Sequence, residues 1–186
     1  MSFADKVSIL RILLIPFFVS FLVYSRHHNY LRLVAVIIFV VAVLSDFFDG
    51  LVARIKNEKS DIGKVVDPLA DKLLLLTAFL SLYILKFDIP LWVVLVVVSR
   101  DLIILLGVFI LNFMKIEVSI FPSIWGKLTT FFQMATILSV LLKLVISPYV
   151  WSLACIFTII SGLLYMRRGV ASLNSFHPRG NGHTKS

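Results

Sequence analysis

The chain is 186 residues long, 60% apolar and 15% charged, with a mean hydropathy of +1.01 and a formal net charge of +8. That balance excludes soluble globular, disordered, collagen-like and disulfide-rich secreted classes, and fits an all-α polytopic membrane protein. The basic excess suits anionic headgroups or a phosphate-bearing ligand, while the hydropathy argues against nucleic acid as a partner.

A bilayer core asks for about 20 mainly apolar residues per helix, and the punctuation of this chain predicts six transmembrane helices. The first runs from about Val7 to Tyr24, with Arg11 near its start and Pro16 in its middle, where a kink is expected. No small-residue cleavage pattern follows it, so it reads as a retained helix. The second begins near Leu31, stays apolar to Ser45, and continues at helical spacing through Asp46-Phe47-Phe48-Asp49-Gly50-Leu51-Val52-Ala53-Arg54. The third is expected from Leu69 to Leu85, the fourth from Leu91 to Asn112 with Arg100-Asp101 inside it, the fifth from Lys127 to Ile146, and the sixth from Tyr149 to Met166. Residues 1–173 read as one membrane domain and 174–186, rich in Gly, Asn, His and Lys, as a disordered cytoplasmic tail. The solitary Cys155 lies in an apolar run and reads as a small core or lipid-facing residue.

An even number of spans puts both termini on one side. Lys6, Arg54, Lys56, Lys59, Lys64, Lys115, Lys127, Arg167, Arg168, Arg179 and Lys185 flank that side, against Arg26, Arg32, Lys86 and Lys143 on the other. The positive-inside rule makes the first side cytoplasmic. A multi-pass protein of a bacterial inner membrane, with its polar chemistry facing the cytoplasm, is the expectation.

The informative pattern is acidic. Asp46 and Asp49 are three apart and Asp67 and Asp71 four apart, and each spacing puts both residues on one face of a helix. An Asp at the centre of a membrane helix costs about 2.5 to 3.5 kcal/mol, so four are expected to lie near the interface, to face a polar cavity or to share a cation. Arg54, Lys64 and Lys72 are candidate neutralising partners, but three cations leave charge over. Carboxylates on two helices with a short connection suit a hard divalent cation. Gly50, Ala53 and Gly63 clear bulk from beside them.

The arrangement Asp46-x-x-Asp49-Gly50-x-x-Ala53-Arg54, eight residues, Gly63-x-x-x-Asp67-x-x-x-Asp71 resembles, without a departure, the signature of the CDP-alcohol phosphatidyltransferases. The resemblance implies a transferase with two divalent cations, Mg2+ or Mn2+. It implies that Asp46, Asp49, Asp67 and Asp71 bind metal and that Asp71 is also the general base. It further implies that Ser8, Asp46, Asp49, Gly50, Ala53, Arg54, Gly63 and Asp67 border the CDP part of a CDP-diacylglycerol donor, and that the protein is a homodimer. One departure lies in the first helix: the family usually carries Asn-x-x-Thr-x-x-Arg, where this chain reads Asp5-Lys6-Val7-Ser8-Ile9-Leu10-Arg11. Ser8 keeps the hydroxyl, whereas Asp5 replaces an amide with an acid and loses a donor.

The acceptor alcohol must be read elsewhere. Ser99-Arg100-Asp101 and Ser123-Ile124-Trp125-Gly126-Lys127-Leu128-Thr129-Thr130 look like segments of phosphatidylglycerophosphate synthases and of the cardiolipin synthases built on the same fold. Arg100 and Lys127 are the candidate ligands of an acceptor phosphate, which points to glycerol 3-phosphate. The plainer alternatives are an Arg100–Asp101 ion pair and a snorkelling Lys127. Ser99-Arg100-Asp101, in place of the commoner Ala-Arg-Glu, keeps phosphatidylglycerol open as a lipid acceptor. A non-enzymatic divalent-cation transporter is the rival of another class, but all four Asp are expected toward the cytoplasmic ends of their helices, with none near the opposite face.

Overall fold

The computed structural model describes the backbone of residues 3–56, 63–113 and 124–175, and the side-chain surroundings of residues 9–45, 70, 72–107 and 124–167. Six α-helices make up nearly all of this: α1 (Phe3–Tyr24), α2 (Asn29–Lys56), α3 (Gly63–Ile84), α4 (Leu91–Phe113), α5 (Ile124–Leu141) and α6 (Ser147–Ser175). No strand occurs among the described residues. Each expected span coincides with one helix, and α1 runs as one helix through Pro16. Two stretches, Ile124–Leu141 and Ser147–Arg167, are long and apolar enough to cross a membrane.

The helix ends differ from the sequence expectation in ways that have local causes. α3 starts at Gly63, six residues before Leu69, because Lys64, Asp67 and Pro68 interrupt the apolar run without interrupting the helix. α5 starts at Ile124 and stops at Leu141, so the apolar residues Leu142 to Ile146 do not extend it as expected. Lys143 has φ 50°, and its amide donates to the Val140 carbonyl at 3.1 Å while Leu144 N–H donates to the Ser139 carbonyl at 2.9 Å. This is a Schellman ending, with lysine in the left-handed position that glycine usually fills. The same pair of bonds ends α3, from Lys86 (φ 54°) to Tyr83 and from Phe87 to Leu82, both at 2.9 Å. α6 continues nine residues past Met166 to Ser175, and the tail beyond it lies outside the described residues.

The bundle carries apolar residues on its outer face and a set of polar ones inside beside its apolar core. Leu13, Phe17, Ile37, Ile84, Leu95, Leu106, Phe131 and Ile156 face outward, while Arg11, Arg100, Asp101, Thr129, Gln133, Thr136, Thr158 and Ser161 are buried. Most of the buried hydroxyls satisfy themselves on carbonyls three or four residues earlier, as Thr136 does on Phe132 at 2.8 Å and Thr158 on Ala154 at 2.6 Å. Gln133 is different: it is fully buried, and neither its amide nitrogen nor its oxygen has a partner. A buried orphaned polar group costs about 1 to 3 kcal/mol. Gln133→Leu should therefore raise the thermal unfolding midpoint of the detergent-solubilised protein, by the equivalent of about 1 kcal/mol or more; a lowered midpoint would mean that the amide is satisfied in the folded protein.

The helices pack as two groups of three. α1 packs closely on α2 and α3, and α6 on α4 and α5, whereas α3 meets α4 and α5, and α2 meets α5, only sparsely. One apolar core joins the groups at the end that carries the α1–α2, α3–α4 and α5–α6 connections. It contains Phe18, Leu22, Phe39, Leu75, Phe79, Leu82, Val93, Val97, Ile137, Leu141 and Cys155. Cys155 is thus a core residue, one of the two placements expected for it. At the same end Arg26 Nη2 donates to the Leu85 carbonyl at 2.8 Å, and the Trp92 and Trp151 rings meet edge-on at 5.2 Å.

Candidate active site

Toward the opposite end of the bundle the described interior turns polar, and the candidate site residues fall there. Asp46, Asp49, Gly50, Ala53 and Arg54 lie in the last three turns of α2, and Gly63, Asp67 and Asp71 in the first three turns of α3. Both helices pack on α1, which carries Ser8 and Arg11. The side-chain placements of Ser8, Asp46, Asp49, Gly50, Ala53, Arg54, Gly63, Asp67 and Asp71 lie outside the described residues. Their backbone fixes the register: three and four residues of α-helix return each pair to one stripe of its helix.

Arg11 lies eight residues into α1 and Asp71 eight residues into α3, each about 12 Å along its helix axis. Arg11 is only 1% exposed. Immediately beside Asp71, Lys72 Nζ donates to Asp101 Oδ1 on α4 at 2.9 Å. The same oxygen accepts Arg100 Nη1 at 2.7 Å, and Arg100 Nη2 donates to Ser161 Oγ on α6 at 2.6 Å. Burial of such a cluster is tolerable because each charge has an opposite neighbour and the hydrogen bonds are charge-assisted.

Of the two cations singled out for an acceptor phosphate, Arg100 is buried and paired and Lys127 is exposed. Arg100 is buried and its terminal nitrogens are taken by Asp101 and Ser161, with Nε left without a partner. Lys127 is exposed in the first turn of α5. The hydroxyls beside it are engaged: Thr129 Oγ1 donates to a backbone carbonyl, with Trp125 at 2.8 Å and Phe157 at 3.0 Å, and Thr130 Oγ1 donates to Gly126 at 3.2 Å. Between α4 and α6 an open groove of about 220 Å³ is lined by Val96, Ser99, Arg100, Ile103, Thr158, Ile159, Gly162, Leu163 and Met166. Most of its described lining is apolar, and Arg100, the charged residue among those lining it, is already paired, so it suits an apolar chain more than a phosphate.

Lys72 and Ser161 are the members of this polar end whose partners the sequence did not reveal. Lys72 stood out only as a possible neutraliser of the four aspartates, and nothing distinguished Ser161 from other serines of a membrane helix. Their connection spans α3, α4 and α6, which only tertiary packing brings together.

Among the described side chains no group of three or more metal-ligating residues occurs. The donor set carried by α2 and α3 is nonetheless of one chemical kind, four carboxylates with no nitrogen or sulfur ligand among them, and that set suits hard divalent cations.

The family model for CDP-alcohol phosphatidyltransferase matches residues 1–161. The chain belongs to the CDP-alcohol phosphatidyltransferase family, and so is a transferase of a family that generally uses divalent metal ions. A Mycobacterium tuberculosis (strain H37Rv) protein named a probable phosphatidylglycerophosphate synthase is 35% identical over 179 residues, covering 92% of this chain and 83% of its own. Two proteins named CDP-diacylglycerol–glycerol-3-phosphate 3-phosphatidyltransferase are also similar. The one from Bacillus subtilis (strain 168) is 30% identical, with 92% of this chain and 96% of its own covered. The one from Aquifex aeolicus (strain VF5) is 32% identical, with 75% of each chain covered.

Proposed function

We propose that this chain transfers the phosphatidyl group of CDP-diacylglycerol to glycerol 3-phosphate, giving phosphatidylglycerophosphate and CMP. The observation that carries the reading is the eight-position carboxylate and glycine pattern on α2 and α3. Relatives of nearly the same length named for this activity support it. Asp46, Asp49, Asp67 and Asp71 hold two cations, Mg2+ or Mn2+, which when bound neutralise the pyrophosphate and stabilise the leaving CMP. Asp71 takes the proton of the acceptor's primary hydroxyl as its oxygen bonds to the phosphorus that carries diacylglycerol. The bond from that phosphorus to the CMP oxygen breaks, and CMP leaves with the electron pair. Ser8, Gly50, Ala53, Arg54 and Gly63 border the CDP moiety, the glycines letting backbone approach it. Lys127, exposed in the first turn of α5, is the more accessible of the two cations for the acceptor phosphate.

In this reading all six helices span a bacterial inner membrane, residues 1–173 form one membrane domain, both termini and the carboxylates face the cytoplasm, and the protein is a homodimer. The outward apolar residues on all six helices support the spanning arrangement. Cytidine and glycerol 3-phosphate then stay in water while the acyl chains stay in lipid.

A second reading has one observation in its favour. The groove between α4 and α6 is open and largely apolar, as a lipid acceptor such as phosphatidylglycerol would need, and the product would then be cardiolipin. An acceptor panel separates the two. Purified protein with CDP-diacylglycerol and Mg2+ is expected to release CMP with glycerol 3-phosphate and to leave phosphatidylglycerol unconverted. CMP release confined to phosphatidylglycerol would transfer the chain to the second reading, and no CMP with any alcohol would remove both.

A further inference from the structure

The apolar core that joins the two groups of helices does not extend through the bundle. Its fully buried side chains reach up to Leu74 on α3 and Val97 on α4, with Val98 half-buried against them. Beyond those levels α3 and α4 are linked through charge: Lys72 to Asp101 at 2.9 Å, Asp101 to Arg100 at 2.7 Å, and Arg100 onward to Ser161 of α6 at 2.6 Å. The Asp101 and Arg100 side chains are 6% and 9% exposed and that of Lys72 is 19%. Ion pairs so shielded resist screening and hold their geometry.

The stoichiometry is informative. Arg100 alone neutralises Asp101, so charge balance does not require a second cation. Lys72 carries a flexible stem that could take its ammonium toward the interface. It instead spans to a buried carboxylate on the other group of helices, which fastens α3 one residue from Asp71. Since an α-helix turns about 100° and rises about 1.5 Å per residue, fixing Lys72 fixes both the rotation and the height of the α3 backbone at Asp71.

We infer that Lys72 and Asp101 are positioning residues for the transfer reaction: a strut that holds the carboxylate-bearing α3 in register with the α4–α6 group. The inference rests on the proposed function, because it is the alignment of Asp71 with an acceptor bound from the α4–α6 side that the strut sets. The strut touches neither substrate. Its loss lowers the rate of the aligned step and leaves ground-state binding nearly unchanged. A displacement of about 1 Å at a reacting group is enough to cost on the order of 100-fold in rate.

Lys72→Met is the cleanest test, since it removes the strut, keeps the helix and leaves Asp101 paired with Arg100. With the full chain in detergent, CDP-diacylglycerol, glycerol 3-phosphate and Mg2+, kcat is expected to fall roughly tenfold or more. Both KM values should stay within about twofold and the thermal midpoint within a few degrees, since no buried charge loses its partner. Lys72→Arg should recover most of kcat. Asp101→Asn should cost at least as much, because it also strips buried Arg100 of its counter-charge, and adding Lys72→Met to it should cost little more, as expected where Lys72 acts through Asp101. Wild-type kcat in Lys72→Met overturns the inference, as do additive losses in the double variant, which would mean that Lys72 and Asp101 act independently, and a rise in either KM without loss of kcat, which would assign Lys72 to substrate binding. A wild-type protein that makes no product from glycerol 3-phosphate is a different failure, that of the proposed function.

Discussion

Asp71→Asn is expected to reduce phosphatidyl transfer by about 1,000-fold or more while leaving the fold intact. Two losses combine there. Removal of a general base typically costs 10² to 10⁴ in rate, roughly 3 to 5 kcal/mol of transition-state stabilisation, and an amide is a weaker ligand than a carboxylate for a hard divalent cation. Asparagine matches aspartate in size, so α3 is not disturbed sterically. The thermal midpoint should therefore stay close to that of the parent protein. The comparison with Lys72→Met is instructive: both changes lie on the same turn of α3, yet the deficit should be deeper for the residue proposed to take the proton than for the one proposed to hold the helix. Near-normal turnover in Asp71→Asn would remove the base assignment.

Much of this architecture was legible because membrane helices announce themselves by composition. Continuous apolar runs gave six helices, and the aspartate spacing gave the α2–α3 signature. Helix ends were less legible where two physical rules compete. Pro68 and the charges around it look like a loop to a hydropathy scan, but they lie inside α3, which runs through them from Gly63. Leu142 to Ile146 look like more helix, but the backbone reverses at Lys143 through a left-handed residue that carries no apolar signature. Lys143 and Lys86 give no glycine at that position to betray the turn.

Within the site, residue type was legible and partnership was not. Arg100 appeared in the sequence both as a candidate phosphate ligand and as the partner of Asp101, and only the packing of α4 against α6 reveals how fully Asp101 and Ser161 occupy it. Lys72 appeared as one of three cations available to four aspartates, whereas its ammonium crosses to a fifth, Asp101. Gln133 gave a signal that went unused: a primary amide inside an otherwise apolar stretch of α5 is costly wherever it points. Pairings across 29 or 61 residues depend on how helices associate, and local periodicity carries no information about that.

Removal of divalent cations should abolish transfer completely and reversibly. In the proposed reading the donor pyrophosphate and the four carboxylates of α2 and α3 are all anionic, so without cations the donor and the site repel each other, and a repulsion between unit charges at about 4 Å is near 4 kcal/mol at an effective dielectric of 20. EDTA treatment followed by desalting is therefore expected to yield a folded protein that neither releases CMP nor binds the donor tightly. Mg2+ or Mn2+ should restore activity, because both accept near-octahedral oxygen coordination, while Ca2+ should restore it poorly, its longer and looser coordination placing the phosphorus less well. The strut distinguishes binding from alignment in the same assay. Lys72→Met should respond to Mg2+ at close to the parent's half-activating concentration, with a lower plateau, since its fault lies in the aim of α3 and not in the charge of the site. Asp49→Asn, by contrast, should need more Mg2+ to reach any plateau. Full activity in the presence of excess EDTA would contradict the two-cation reading and leave the carboxylates of α2 and α3 without the role proposed for them.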